Sequence, residues 1–274
     1  MEKTGNTKYD IAASATAATD IAVAILFGGK SGRMGSPKEN VVIPGDGRTF
    51  LERMCDEANI ALPALNRRTV IRSDDTGTTP DNTTKQRLYL SIRAGQEINI
   101  PGADEARQDT GGMFRDGFTI VTDRYAGIGP LGGIASVLER ARADGYDAVL
   151  MLACDMYRYD HTEMQAICGQ YRGEDILFAR TAGAEPSVSA SGSVASAEPS
   201  VSASGSGTFP GADGSGKYDL QPLASIYSVS VLDAVKAQIA SGDYRIRDLA
   251  EHVSNVGYYD TRHPEFYENR NVPF

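Results

Sequence analysis

The chain has 274 residues, 41% hydrophobic and 23% charged, with a formal net charge of −9 and an isoelectric point near 4.9. That length holds one large domain or two small ones. The acidic balance argues against nucleic acid or an anionic membrane as partner, so any anionic ligand has to be held by a local basic site.

No stretch reaches the length of a membrane span. Residues 1–20 are rich in Ala and Thr and lack the uninterrupted apolar core of a signal peptide. They read as a disordered tail ahead of a single domain at 21–274. Cys55, Cys154 and Cys168 are odd in number and lack zinc or redox spacing, which reads as free thiols in a reducing compartment, the cytoplasm by default. His161, His252 and His263 show no ligand spacing.

The apolar run Val23-Ala24-Ile25-Leu26 empties into Gly28-Gly29-Lys30-Ser31-Gly32-Arg33-Met34-Gly35, with Lys38 three residues beyond. A buried strand ending in a glycine-rich loop offers backbone N–H groups at close approach, and the basic side chains answer an anion. Nucleotide phosphates are the ligand this chemistry suits. The Walker A pattern fits only in part. Gly29-Lys30-Ser31 could close it, but its first glycine would fall at Ala24. A plain tight turn is the other reading, and three basic residues within nine positions speak against it.

Further along, Thr49 caps a predicted helix to about residue 59, with Phe50, Leu51, Met54 and Ala58 on one face. A short strand is predicted at 69–71. Alternation of this kind indicates an α/β domain with a largely parallel sheet. Residues 74–117 break the pattern and read as an insertion, either decoration or a lid. The apolar runs 88–92 and 98–100 inside it flank Ala94-Gly95 and predict a hairpin.

Order returns with a strand at 118–121 and a helix opened by Gly129-Pro130-Leu131-Gly132-Gly133 and closed by Gly145. Residues 148–154 are seven apolar positions without alternation, the pattern of a strand buried on both faces, and they stop at Asp155. A second insertion spans about 181–217, where AEPSVSASGS at 184–193 recurs at 197–206. Such a Ser/Ala/Gly tandem cannot bury a core and reads as a loop-tip addition. A strand at 223–227 and a helix at 231–239 follow.

In open α/β sheets ligands bind beyond the carboxyl ends of the strands. A carboxylate placed there, such as Asp155, is either a ligand for Mg²⁺ bound to nucleotide phosphates or a cap for the turn that follows. Asp123 admits the same two readings at the end of its strand.

Leu26, Gly28, Gly29, Ser31, Arg33, Met34, Gly35 and Lys38 match the pattern L-x-G-G-x-S-x-R-M-G-x-x-K over residues 26–38. This run resembles the signature of the molybdenum cofactor guanylyltransferases, within the nucleotidyltransferase superfamily. Phe27 stands where that family has a small residue. Cys154-Asp155-Met156-Tyr157 is similar to its metal-binding C-D-x-P stretch, with Tyr157 in the proline position. Asp123 with Gly127 and Gly129 to Gly133 resembles D-x-x-x-G-x-G-P-L-x-G, and Gln221-Pro222 and Asn269-Arg270-Asn271-Val272-Pro273 resemble two weaker blocks. Arg72-Ser73 departs from the asparagine found after the family's second strand.

The resemblance implies a three-layer α/β/α Rossmann-like nucleotidyltransferase fold with a mostly parallel mixed sheet. It implies nucleotide contacts at Leu26, Phe27, Gly28, Gly29, Lys38, Asp123 and Asp155, a metal at Asp155, and an asparagine near it, Asn271 or Asn269. The activity it implies is Mg²⁺-dependent transfer of GMP from GTP to molybdenum-bearing molybdopterin, with molybdoenzymes or their chaperones receiving the product. On this reading the Gly28 and Gly29 amides cradle the triphosphate while Arg33 and Lys38 offset charge on the leaving pyrophosphate. Cytidylyl transfer, another phosphorylated acceptor, or a nucleotide-binding relative without turnover are the alternatives.

Overall fold

The computed structural model describes residues 19–27, 40–65, 87–96, 98, 117–182, 208–210 and 217–268. Among the described residues eight strands form one sheet: β1 (Ile21–Leu26), β2 (Leu88–Ile92), β3 (Thr119–Thr122), β4 (Ala148–Ala153), β5 (Ile176–Ala182), β6 (Thr208–Pro210), β7 (Lys217–Ser228) and β8 (Val256–Asp260). Their order is β3-β2-β1-β4-β7-β5-β8, with β6 paired to β7. β3, β2, β1 and β4 run parallel, β7 is antiparallel to β4 and β5, and β8 is parallel to β5. The sheet is thus mixed and mostly parallel, as expected.

Both central strands are buried along their whole length. Their lack of polar alternation follows, because helices cover both faces. Val23, Ile25 and Phe27 face a core that includes Leu51, Met54 and Ala58 of α1 (Phe50–Leu65) and Met164 and Ile167 of α3 (His161–Gln170). Ala22, Ala24 and Leu26 face the opposite core, with Leu131, Ile134 and Leu138 of α2 (Pro130–Ala143) and Val235 of α4 (Leu232–Ser241). The result is a three-layer α/β/α sandwich.

α1 begins where Thr49 suggests. The Thr49 amide donates to Glu52 Oε2 at 2.7 Å and the Glu52 amide to Thr49 Oγ1 at 3.2 Å, a reciprocal capping box. The helix runs six residues past the expected end at 59, because Ala61 and Leu62 continue the buried face. The expected hairpin at 88–92 does not form. Leu88–Ile92 is β2, paired in parallel with β1 on one side and β3 on the other, and its residues 88–91 are buried. A sheet strand therefore lies inside the segment read as an insertion. The strand expected at 69–71 and most of 1–20 lie outside the described residues. Asp20 is tied to the fold: its amide donates to Asp147 Oδ2 at 2.7 Å and Arg87 reaches its carboxylate at 3.0 Å.

β5 pairs with β7 up to Ala182 and Tyr218, and β6, which follows the duplicated Ser/Ala/Gly segment in the chain, pairs with the same end of β7. Four of these elements had no counterpart in the sequence reading: α3, β5, β6 and β8. Among the described residues no helix is long and apolar enough to cross a membrane.

Candidate active site

The carboxyl ends of β3, β2, β1 and β4 share one edge of the sheet. There Leu26 lies opposite Ala153, and the Cys154 amide donates to Leu26 O at 3.3 Å. The Phe27 amide donates to Ser91 O at 3.0 Å on the other side. Phe27, the residue just ahead of the glycine-rich run, and Asp155 thus follow adjacent strands at one edge. Gly28, Gly29, Arg33, Lys38 and Asn271 themselves lie outside the described residues, as does Arg72-Ser73.

Leu26 and Phe27 send their side chains into the two cores, Leu26 against α2 and Phe27 against the α1 side. Any ligand contact they make is through the backbone. Phe27 is large because it fills that core space.

Asp155 is buried, at 8% exposure. The chain turns sharply around it. The Met156 amide returns to Ala153 O at 3.3 Å and the Tyr159 amide to Met156 O at 2.9 Å. Met156 anchors in the core, while Tyr157 stacks on Phe50 of α1 with centroids 5.2 Å apart and planes at 9°. Tyr157 thus stabilises the turn by stacking where the resembling family has a proline.

Asp123 sits three strands away, roughly 14 Å at ordinary strand spacing. Its Oδ1 accepts the Tyr125 amide at 2.7 Å, and its carboxylate packs on the first turn of α2. A Cβ at Gly132 would lie 2.7 Å from Tyr125 O and 2.9 Å from Asp123 Oδ1; one at Gly133 would lie 3.1 Å from Ser91 Oγ and 3.3 Å from Leu26 Cδ2. The two glycines let α2 dock directly on the strand ends. Burial raises the Asp123 pKa, partly countered by the Tyr125 amide and Ser136.

Two further segments reach this edge. β7 continues past the end of its pairing with β4, from Leu152 opposite Ala224 toward Gln221-Pro222. Ser225 Oγ donates to Gln221 O at 2.6 Å and receives the Ala179 amide at 3.1 Å, bridging a β-bulge, and Tyr227 donates to Pro222 O at 2.8 Å. From the C-terminal side, Glu268 pairs with Arg158 at 3.0 Å and Tyr267 meets Tyr159 edge-on at 5.2 Å. Glu163, only 2% exposed, accepts from the Tyr267 hydroxyl at 2.8 Å and from Thr261. These contacts anchor the chain just ahead of Asn269 beside the Asp155 turn.

Among the described residues no three His, Cys, Asp or Glu side chains cluster as a metal cage. A single buried carboxylate at a strand end suits a hard ion that takes most of its oxygens from a bound polyphosphate and water, so Asp155 fits Mg²⁺. Burial pushes the Cys55 thiol up and that of Cys168 up to about 12, so neither supplies a thiolate near neutral pH. Sequence reasoning missed the α1 residues that grip the 155–161 connection. Arg53 and Glu57 carry no local signal, since charged residues on a helix face are ordinary.

The fold recurs in solved structures. One is molybdopterin-guanine dinucleotide biosynthesis protein A from Archaeoglobus fulgidus, at 16% identity and TM-score 0.51, covering 92% of both chains. Another is 4-diphosphocytidyl-2C-methyl-D-erythritol synthase from Anaerococcus prevotii, at 11% identity and TM-score 0.51, covering 93% of both. Comparison with curated proteins gives no match. Residues 23–256 match the family described as MobA-like NTP transferase domain, a span from β1 through the start of β8 that takes in both Asp123 and Asp155. With the sheet edge, the strand-end carboxylates and this match in agreement, the chain belongs to the MobA-like NTP transferase family and is a nucleotidyltransferase.

Proposed function

We propose that this chain transfers GMP from GTP to molybdenum-bearing molybdopterin, with Mg²⁺ bound at Asp155. What supports the reading is the pairing of β1 with β4, which brings Leu26, the first residue of the signature run, and Asp155 to the same edge on neighbouring strands. The three free, buried cysteines accord with a reducing cytoplasm.

The reaction joins an acceptor phosphate oxygen to the α-phosphorus of the triphosphate and breaks the α–β anhydride bond, releasing pyrophosphate. Both reactants are anions, so charge neutralisation and alignment govern the rate more than proton transfer. The ion, when bound, neutralises phosphate oxygens and polarises the α-phosphorus. Asp155 holds it. Amides of Gly28 and Gly29 would cradle the triphosphate, Arg33 and Lys38 would meet the charge building on pyrophosphate, and Asn271 or Asn269 would lend an amide oxygen to the ion. Asp123 and the Gly132-Gly133 docking of α2 shape the far wall. No nucleophilic side chain is needed.

The test is pyrophosphate release by the purified protein with GTP and Mg²⁺, with and without molybdopterin. Release that depends on the acceptor is expected. Release from CTP and not GTP replaces the base assignment with cytidylyl transfer, and GTP binding without release under any of these conditions overturns the proposed reaction.

A further inference from the structure

Phe50, Arg53 and Glu57 stand three and four residues apart on α1 and so share one face. All three meet the connection that starts at Asp155. Phe50 stacks on Tyr157. Arg53 Nε donates to Tyr157 O at 2.8 Å, and its Nη2 lies 3.3 Å from Glu57 Oε1. The other Glu57 oxygen accepts the His161 amide at 3.0 Å and lies 2.7 Å from His161 Nδ1. Residues 157 and 161 are thereby pinned by a helix more than 100 positions away in sequence.

Glu57 is buried, at 7% exposure, and its two carboxylate oxygens meet Arg53 on one side and His161 on the other. Such a network fixes geometry. At one end of the turn the β4 ladder holds Ala153; at the other, Arg53 holds the Tyr157 carbonyl. Asp155 lies midway between the two anchors.

We propose that Arg53, oriented by Glu57, is a positioning residue for the Asp155 carboxylate. The proposal rests on the reading of Asp155 as the metal ligand. With one protein carboxylate on the ion, affinity depends on how that carboxylate is aimed, and residues that orient a ligand influence metal binding strongly. The contact runs through the backbone of Tyr157, so Arg53 acts on the turn and not on the substrate.

The experiment uses Arg53→Met, which keeps the apolar stem and deletes the guanidinium, beside Arg53→Lys and Asp155→Ala in the full chain. Mn²⁺ binding in the presence of GTP is followed by electron paramagnetic resonance, and pyrophosphate release is titrated with Mg²⁺. Arg53→Met is expected to weaken Mn²⁺ affinity and raise the half-saturating Mg²⁺ concentration about tenfold or more, with KM for GTP at saturating metal little changed. Arg53→Lys, which can still donate to the Tyr157 carbonyl, recovers part of the loss. A folded Arg53→Met protein whose Mn²⁺ affinity and Mg²⁺ dependence stay within about twofold of wild type overturns the proposal, whatever its melting temperature. If Arg53→Met does not fold, Glu57→Gln carries the same test and the same overturning result. Asp155→Ala separates the two readings. Loss of Mn²⁺ binding there with an unaffected Arg53→Met removes only the positioning role, whereas wild-type behaviour of Asp155→Ala removes the metal assignment as well.

Discussion

Asp123 at the end of β3 and Asp155 at the end of β4 hold equivalent places in two parallel strands, yet they are supported differently. The Asp123 carboxylate is taken up by its own loop, accepting the Tyr125 amide and lying against the first turn of α2. The Asp155 turn is secured from outside, by α1 through Tyr157 and His161 and by the C-terminal segment through Arg158 and Tyr159. The Asp155 turn is thus braced by elements distant in sequence, a property that the proposed metal role at Asp155 calls for.

The sharpest way to break this contrast is Asp155→Ala. It is expected to lower kcat for pyrophosphate release by about 10²–10³-fold or more while circular dichroism and melting stay near wild type. Near-normal rates would make the two aspartates alike. The next largest effect is on the other side of the comparison. Gly132→Ala places a methyl group 2.7 Å from the Tyr125 carbonyl and 2.9 Å from Asp123 Oδ1, neither of which can swing away freely. A loss of about 1–3 kcal/mol in denaturant unfolding is expected; an unchanged midpoint would show that the α2 docking is loose.

The smallest effect belongs to Asp123→Asn. Burial raises the Asp123 pKa above its usual 3.8, so the fold favours the protonated form. That contribution is present in full below the unfolded pKa and is lost as pH rises through the folded one. The asparagine is neutral throughout and keeps an oxygen for the Tyr125 amide. It is therefore expected to melt no lower than wild type at pH 7, within about 1 kcal/mol, with the gap closing toward pH 3. A marked loss of stability at pH 7 would show that the charge itself holds the loop. A loss of turnover without a loss of stability would add the nucleotide contact that the family resemblance implies.

Much of the sheet edge that carries the proposed site was legible because its signals are local. The apolar runs of β1 and β4 mark strands buried on two faces, Gly129-Pro130 marks the start of α2, and Asp155 stands two residues past the end of β4. β2 was misread because LYLSI, flanked by polar sequence, looks alike as a hairpin arm or a central strand. Only its neighbours on the sheet decide between the two. α3 escaped notice since its buried side is carried by few apolar residues, Met164, Ile167 and Cys168, helped by a buried Glu163.

The amino-acid sequence alone determined the α/β class, the glycine-rich run after the first strand and the carboxylate just past the fourth, because each depends on residues within a few positions of one another. Tertiary structure alone decided that β2 lies inside the sheet, that β7 runs against its neighbours, and that Arg53 and Glu57 of α1 brace the turn at Asp155. Those outcomes depend on which faces must be covered and which charges must find partners across more than 100 residues, and no local periodicity carries that information.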